Sequence, residues 1–175
     1  MRVATPWWRS GHVAAIAVFA SAVVACGDTT VKEPALEVWL TCVECEAAEV
    51  DSLKVAASRE SGVQIVLRET LLHGPSAARR AQLRLQLQRT HDRLAERVAR
   101  DTMLDSVPFG RDAYVRHYLA KAERIYRSRA ALGLGHIGGP AALAALDSAL
   151  NLPSDSLPES VRKRVQFARD SLWHP

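Results

Sequence analysis

The chain predicts an all-α fold built as a short stack of antiparallel helix pairs. Three observations point there. Ser or Thr stands three residues ahead of Glu or Gln at Thr41–Glu44, Ser61–Gln64 and Ser156–Glu159, the spacing at which a hydroxyl and a side-chain acceptor satisfy each other's free backbone amides. Apolar residues recur every three to four positions through 76–100 and 112–126. No alternating, strand-like run follows residue 41. Mostly short connections then set neighbouring helices antiparallel.

The elements follow in order. Thr41-Cys42-Val43-Glu44 predicts a helix over about 42–58, and Ser61-Gly62-Val63-Gln64 a second over about 62–73. Gly74-Pro75 supplies its stop, because proline cannot continue a helix. Residues 76–100 form one long helix whose stripe is Leu83, Leu87, Thr90, His91, Leu94 and Val98. Pro108 and Gly110 break the pattern. Helix resumes near Asp112, with Val115, Leu119, Ala122 and Tyr126 on one face. A further helix covers about 140–151, and the last begins after Ser156-Leu157-Pro158-Glu159.

Ahead of these elements lies an address. Residues 1–12 carry Arg2 and Arg9 and no acid, and an apolar run from Val13 to Ala25 follows that is too short to span a bilayer as a helix. This is a secretory leader. The order Val23-Val24-Ala25-Cys26 resembles the lipobox of bacterial lipoproteins, although Val23 stands where leucine is commonest. The resemblance implies a signal peptide over 1–25, acylation of Cys26 as the first mature residue, a tether over 26–34 and a helical domain over 35–175. An ordinary secretory cleavage near Ala22 or Ala25 is the alternative. Gly27, rather than Asp, after the cysteine implies the outer membrane's periplasmic face where the cell has two membranes. Dual or triple acylation anchors stably.

Removing Arg2 and Arg9 from the 23 basic residues leaves 21 against 19 acids, a formal charge of about +2 on the mature chain. The pI of the whole chain therefore carries no nucleic-acid signal, and an envelope address makes nucleic acid an unsuitable partner. The mature length suits one domain with a sizeable core.

Arg129-Ala130-Ala131-Leu132-Gly133-Leu134-Gly135-His136-Ile137-Gly138-Gly139-Pro140, continuing through Ala141 to Leu150 and with Val161-Arg162 opening a next repeat, resembles a HEAT-like repeat of the phycobilisome-lyase type, over about residues 126–165. Gly139 replaces the family's usual aspartate, and Ala144 stands where proline is frequent. A shift of 79 residues places Val63, Leu67 and Leu71 under Ala142, Leu146 and Leu150, which suggests two periods of about 40. The glycines have a physical use: close helix approach and left-handed turns. The resemblance implies a HEAT-like α-solenoid that binds another protein, with no cofactor and no chemistry of its own.

Cys42-Val43-Glu44-Cys45 is the remaining motif. An oxidising compartment favours a disulfide pinning the first helix. The capping-box reading also sets Cys42 at a helix N-terminus, where the dipole favours a thiolate, so a membrane-tethered thiol–disulfide oxidoreductase, with Cys42 attacking and Cys45 resolving, is the competing function. Leu36 to Leu40 passes for a strand in that reading, but a thioredoxin fold needs further strands. Metal binding has little support, because His73, His91, His117, His136 and His174 show no close ligand spacing.

Arginine crowds 76–100 and 111–129. A cationic face for anionic lipid or an acidic partner competes there with solvated helix faces relieved by pairs such as Arg89 with Asp92 and Glu96 with Arg100. No nucleophile elbow organises Ser, His and Asp, and Gly133 to Gly139 lacks the lysine of a phosphate loop. Trp39 and Trp173 read as anchors of the stack. Catalytic residues are therefore expected to be absent, and the expected function is an envelope lipoprotein scaffold; a plain spacer lipoprotein has the same sequence signature.

Overall fold

Pro34 opens the first helix, a position where its missing N–H is no loss. The computed structural model describes residues 34–42, 44–101, 106, 107 and 109–173. The leader 1–25, Cys26 with its tether to residue 33, Pro108 and His174 lie outside the described residues, as does the side chain of Trp173. Among the described residues there are seven helices and no strand: α1 (Pro34–Thr41), α2 (Ala47–Arg59), α3 (Gly62–His73), α4 (Ala77–Arg100), α5 (Arg111–Ile137), α6 (Gly139–Leu150) and α7 (Glu159–Trp173). The all-α stack expected from the sequence is the fold.

The N-terminal third departs from expectation. Leu36, Trp39 and Leu40, at helical spacing, are buried on one face of α1, so this segment is not the strand that the oxidoreductase reading allowed. The Cys42 N–H donates to the Val38 carbonyl at 2.9 Å and closes α1, so a helix ends where the sequence predicts one to begin. The same four-residue spacing recurs at Glu46-Ala47-Ala48-Glu49, and there it is used: Glu49 Oε2 accepts the Glu46 N–H at 2.9 Å at the start of α2. Burial of Trp39 decides between the two starts.

Two other predicted caps are unused. Ser61 takes helical dihedrals and makes no side-chain cap, and the Val63 N–H goes to the Glu60 carbonyl at 3.1 Å. Ser156 contributes only backbone groups to the turn before α7, where the Val161 and Arg162 amides share the Pro158 carbonyl at 2.9 Å. By contrast, Ser76 caps α4 by accepting the Arg79 N–H at 3.2 Å. Gly74 ends α3 at φ +80°, as its place before Pro75 suggests.

α5 organises the rest. At 27 residues it runs about 40 Å, and it packs against each of the other six described helices. Val115, Leu119 and Tyr126 are buried on it as expected, and its buried stripe continues through Ala130, Ala131 and Leu134. The helix passes straight through Gly133 and Gly135 and turns only at Gly138 and Gly139, at φ +72° and +83°. The two inner glycines admit neighbours: a Cβ on Gly133 would stand 2.7 Å from Trp39 Nε1, and one on Gly135 would stand 3.0 Å from the Ala168 Cβ.

α3 and α6 pack against one another and against α5, and the stripe positions Val63, Leu67, Leu71, Ala142 and Leu146 are all buried. α4 packs chiefly on α5. Its stripe, Leu83 to Val98, is half-buried, and no α4 residue is fully buried.

Candidate functional site

Several of the arginines serve the fold. A helix ends with carbonyls that lack amide partners and carry the negative end of its dipole, so a guanidinium there gains both hydrogen bonds and charge complementarity. Arg127 donates to Leu71 O (2.8 Å), Leu72 O (3.1 Å) and Ser156 O (3.0 Å), binding the end of α3 to the turn before α7. Burial lowers its pKa from the ordinary arginine value, which Glu123 partly offsets. Arg162 likewise donates to Leu150 O (2.7 Å) and Leu152 O (3.0 Å) at the end of α6. Arg80 pairs with Glu123 at 2.7 Å, Arg169 with Asp147 at 2.6 Å, and Arg79 reaches both Glu37 and the Tyr126 hydroxyl.

The predicted helix-face pairs divide. Glu96 and Arg100 pair at 3.6 Å, whereas Asp92 turns from Arg89 to Arg111 at 3.0 Å, because the chain after α4 folds α5 back beside it.

The cysteine loop is anchored through Trp39. Its indole N–H donates to the Arg129 carbonyl at 2.8 Å, and its ring meets His136 edge-on at 5.4 Å between centroids. The Arg129 side chain returns across that ring, 5.8 Å from the centroid, and donates through Nε to the Cys42 carbonyl at 2.9 Å. Cys42 and Cys45 lie at disulfide distance with Cα atoms 5.7 Å apart. Their setting differs from the one the sequence predicts, since Cys42 follows the C-terminal turn of α1. That end of a helix disfavours a thiolate.

Beside this loop a groove of about 480 Å³ opens over α5. Half-buried Ile125, Ser128 and Leu132 form its floor, Cys42 and Arg129 one wall, and Ser160 and Arg164 of α7 the other. Lys121 and Arg124 stand at its mouth. No carboxylate lines it, and among the described residues none pairs with Lys121, Arg124 or Arg164. Burial, and after it the nearby Arg164 charge, lower the Arg129 pKa from its ordinary value.

A second hollow of about 380 Å³ continues the groove past Leu132, between Lys54 and His136 on one side and Phe167 and Leu172 on the other. Phe167 is 60% exposed. Sequence reading missed this trough because its walls come from three separated segments. The signal available was the stripe Lys121, Ile125, Ser128, Leu132 at helical spacing, on a different face of α5 from Val115, Leu119 and Tyr126.

Of the predicted site residues, the structure brings Cys42 and Cys45 together and places Cys42 at the groove's edge; Cys26 lies outside the described residues. No group of three or more His, Cys, Asp or Glu that could hold a metal ion occurs among the described residues, and no described helix is long and apolar enough to cross a membrane. No family model, curated protein or solved structure matches the chain.

Proposed function

We propose that this protein is a bacterial envelope lipoprotein, held by acyl chains on Cys26, whose helical domain works as a scaffold that binds another protein. The observation that carries the binding half is the concave trough over α5, where exposed Lys121, Arg124 and Arg164 have no countercharge among the described residues. Unpaired cations gathered in a concavity raise the local affinity for an anionic partner. Other polar groups serve the fold: Arg127 and Arg162 close helix ends, His136 packs on Trp39, and the cysteine pair pins the turn between α1 and α2. The resemblance of residues 126–165 to HEAT-like repeats supports the same reading, and the lipobox-like Val23 to Cys26 supports the anchor.

The thiol oxidoreductase reading loses its main physical support with Cys42 at the C-terminal end of α1. A structural pair is the role that geometry favours.

The test has two parts. Intact mass measurement of protein from native membranes, with thiols blocked at lysis, is expected to find a chain beginning at acylated Cys26 with Cys42 and Cys45 oxidised. An unmodified Cys26 removes the anchor, and a reactive thiol pair restores the enzyme. Photo-crosslinking in cells from probes placed on several helix faces is expected to give protein adducts; none from any face removes the scaffold.

A further inference from the structure

From the form of the trough we infer that its occupant is an acidic, amphipathic helical segment of the partner, lying along α5 with its carboxylates at the Lys121–Arg124–Arg164 end and its apolar side chains over Leu132 and Phe167. This rests on the scaffold reading for the existence of a protein partner and adds the partner's chemistry.

Three features of the trough argue for that occupant. The first is length. From Lys121 to His136 the two hollows follow fifteen residues of α5, about 22 Å at the helical rise, which a partner helix of roughly 14 residues would match. The second is polarity along the axis. Lys121, Arg124 and Arg164 cluster at one end, while Leu132, Phe167 and Leu172 dominate the other, with Lys54 as an isolated cation at its rim.

The third is shape. Exposed Ser160 and Arg164 rise on one side and the Cys42 turn on the other, so the surface is a channel between two walls. A flat bilayer cannot reach the half-buried floor residues Ile125 and Leu132, whereas a helix laid in a groove does so with side chains at every third or fourth position. Phe167 supplies an exposed aromatic edge for such a side chain. A single inorganic anion would use the cations and leave the apolar half without a role.

The experiment uses the mature lipidated chain in nanodiscs of neutral phosphatidylcholine. The probe is a fluorescein-labelled helical peptide of about 14 residues, with glutamates at one end and leucines at the other along a single face. Its controls are the same peptide with every glutamate replaced by lysine, inorganic phosphate, and nanodiscs containing anionic phosphatidylglycerol. The acidic peptide is expected to bind, and the lysine peptide not to. Arg124→Glu with Arg164→Glu is expected to weaken binding about tenfold or more, and raising salt to weaken it further. Phe167→Ser is expected to weaken it independently of salt.

Neither arginine makes an ion pair among the described residues, so the double variant is expected to keep its circular dichroism and melting temperature; Lys121→Glu is the substitute if it does not. Equal binding of the acidic peptide by the wild-type and charge-reversed proteins, or no binding by the wild type, overturns the inference. Competition by phosphate that is as effective as the peptide, or capture by anionic nanodiscs through Arg124 and Arg164 in place of peptide, also overturns it in favour of a phosphate-bearing ligand. Crosslinked protein found only on faces outside the trough rejects this inference while leaving the scaffold standing.

Discussion

Replacing Gly133 by alanine sets two effects of opposite sign against each other. Alanine improves helix propensity by about 1 kcal/mol, so in an exposed stretch of α5 the change would stabilise. At Gly133 the new methyl would stand 2.7 Å from Trp39 Nε1, 3.2 Å from a Leu53 methyl and 3.3 Å from a Leu67 methyl. Comfortable contact needs roughly 3.5 Å, so the indole must retreat by about 0.8 Å. It is 1% exposed and donates to Arg129 O at 2.8 Å, and the same retreat breaks that bond.

Losing a buried hydrogen bond costs about 1–3 kcal/mol and overpacking a further 1–3, so the net effect is a loss of about 1–5 kcal/mol after the propensity gain. Urea denaturation followed by circular dichroism at 222 nm reads it directly. The sharper measurement is the cycle with Trp39→Phe, whose ring lacks the clashing nitrogen. In that background Gly133→Ala is expected to cost much less, the Leu53 and Leu67 contacts remaining, with a coupling of about 1 kcal/mol or more. A stabilising Gly133→Ala, or strict additivity with Trp39→Phe, would refute the account of how α1 docks on α5.

Three further outcomes are expected. Arg127→Ala removes a partly buried cation from three carbonyls and is expected to cost about 2–3 kcal/mol in urea, with Arg127→Lys restoring less than half because an ammonium lacks the planar fork. Changing Cys42 and Cys45 together to serine opens a loop of only four residues, so the loss is expected to stay near 2 kcal/mol and the helical spectrum to persist; wholesale unfolding would mean the pair does more than pin a turn. Burial and the charge of Lys54 lower the His136 pKa below its ordinary value of 6.5. The unfolded chain then binds the proton more readily, so stability is expected to fall as pH drops below about 6.5, and His136→Gln to flatten that slope in melts taken across the range.

The sequence disclosed elements wherever one residue carried the whole signal. Gly74 before Pro75 and the Gly138-Gly139-Pro140 turn each mark a helix boundary that the structure keeps. It misplaced the start of the helix expected over about 42–58 because Thr41–Glu44 and Glu46–Glu49 offer the same capping spacing five residues apart, and only burial of Trp39 against Gly133 decides between them. The use of the arginines was equally hidden. Arg127 serves Leu71, 56 positions away, so a structural clamp and a solvated cation look alike in the sequence. For the same reason the trough became visible only once the turn after α1 and α7 came to flank α5.

Trp39 also sets an order of events. Its acceptor on Arg129 lies 90 residues later, and a chain made from its N-terminus displays Leu36, Trp39, Leu53 and Leu67 long before the surface that covers them has been synthesised. The first half must therefore wait with its apolar side uncovered, a state that invites self-association unless it is shielded. Fragments ending ahead of Arg129 should inherit that condition permanently and collect as aggregates, so the half-made protein, more than the finished one, is where a chaperone would be needed.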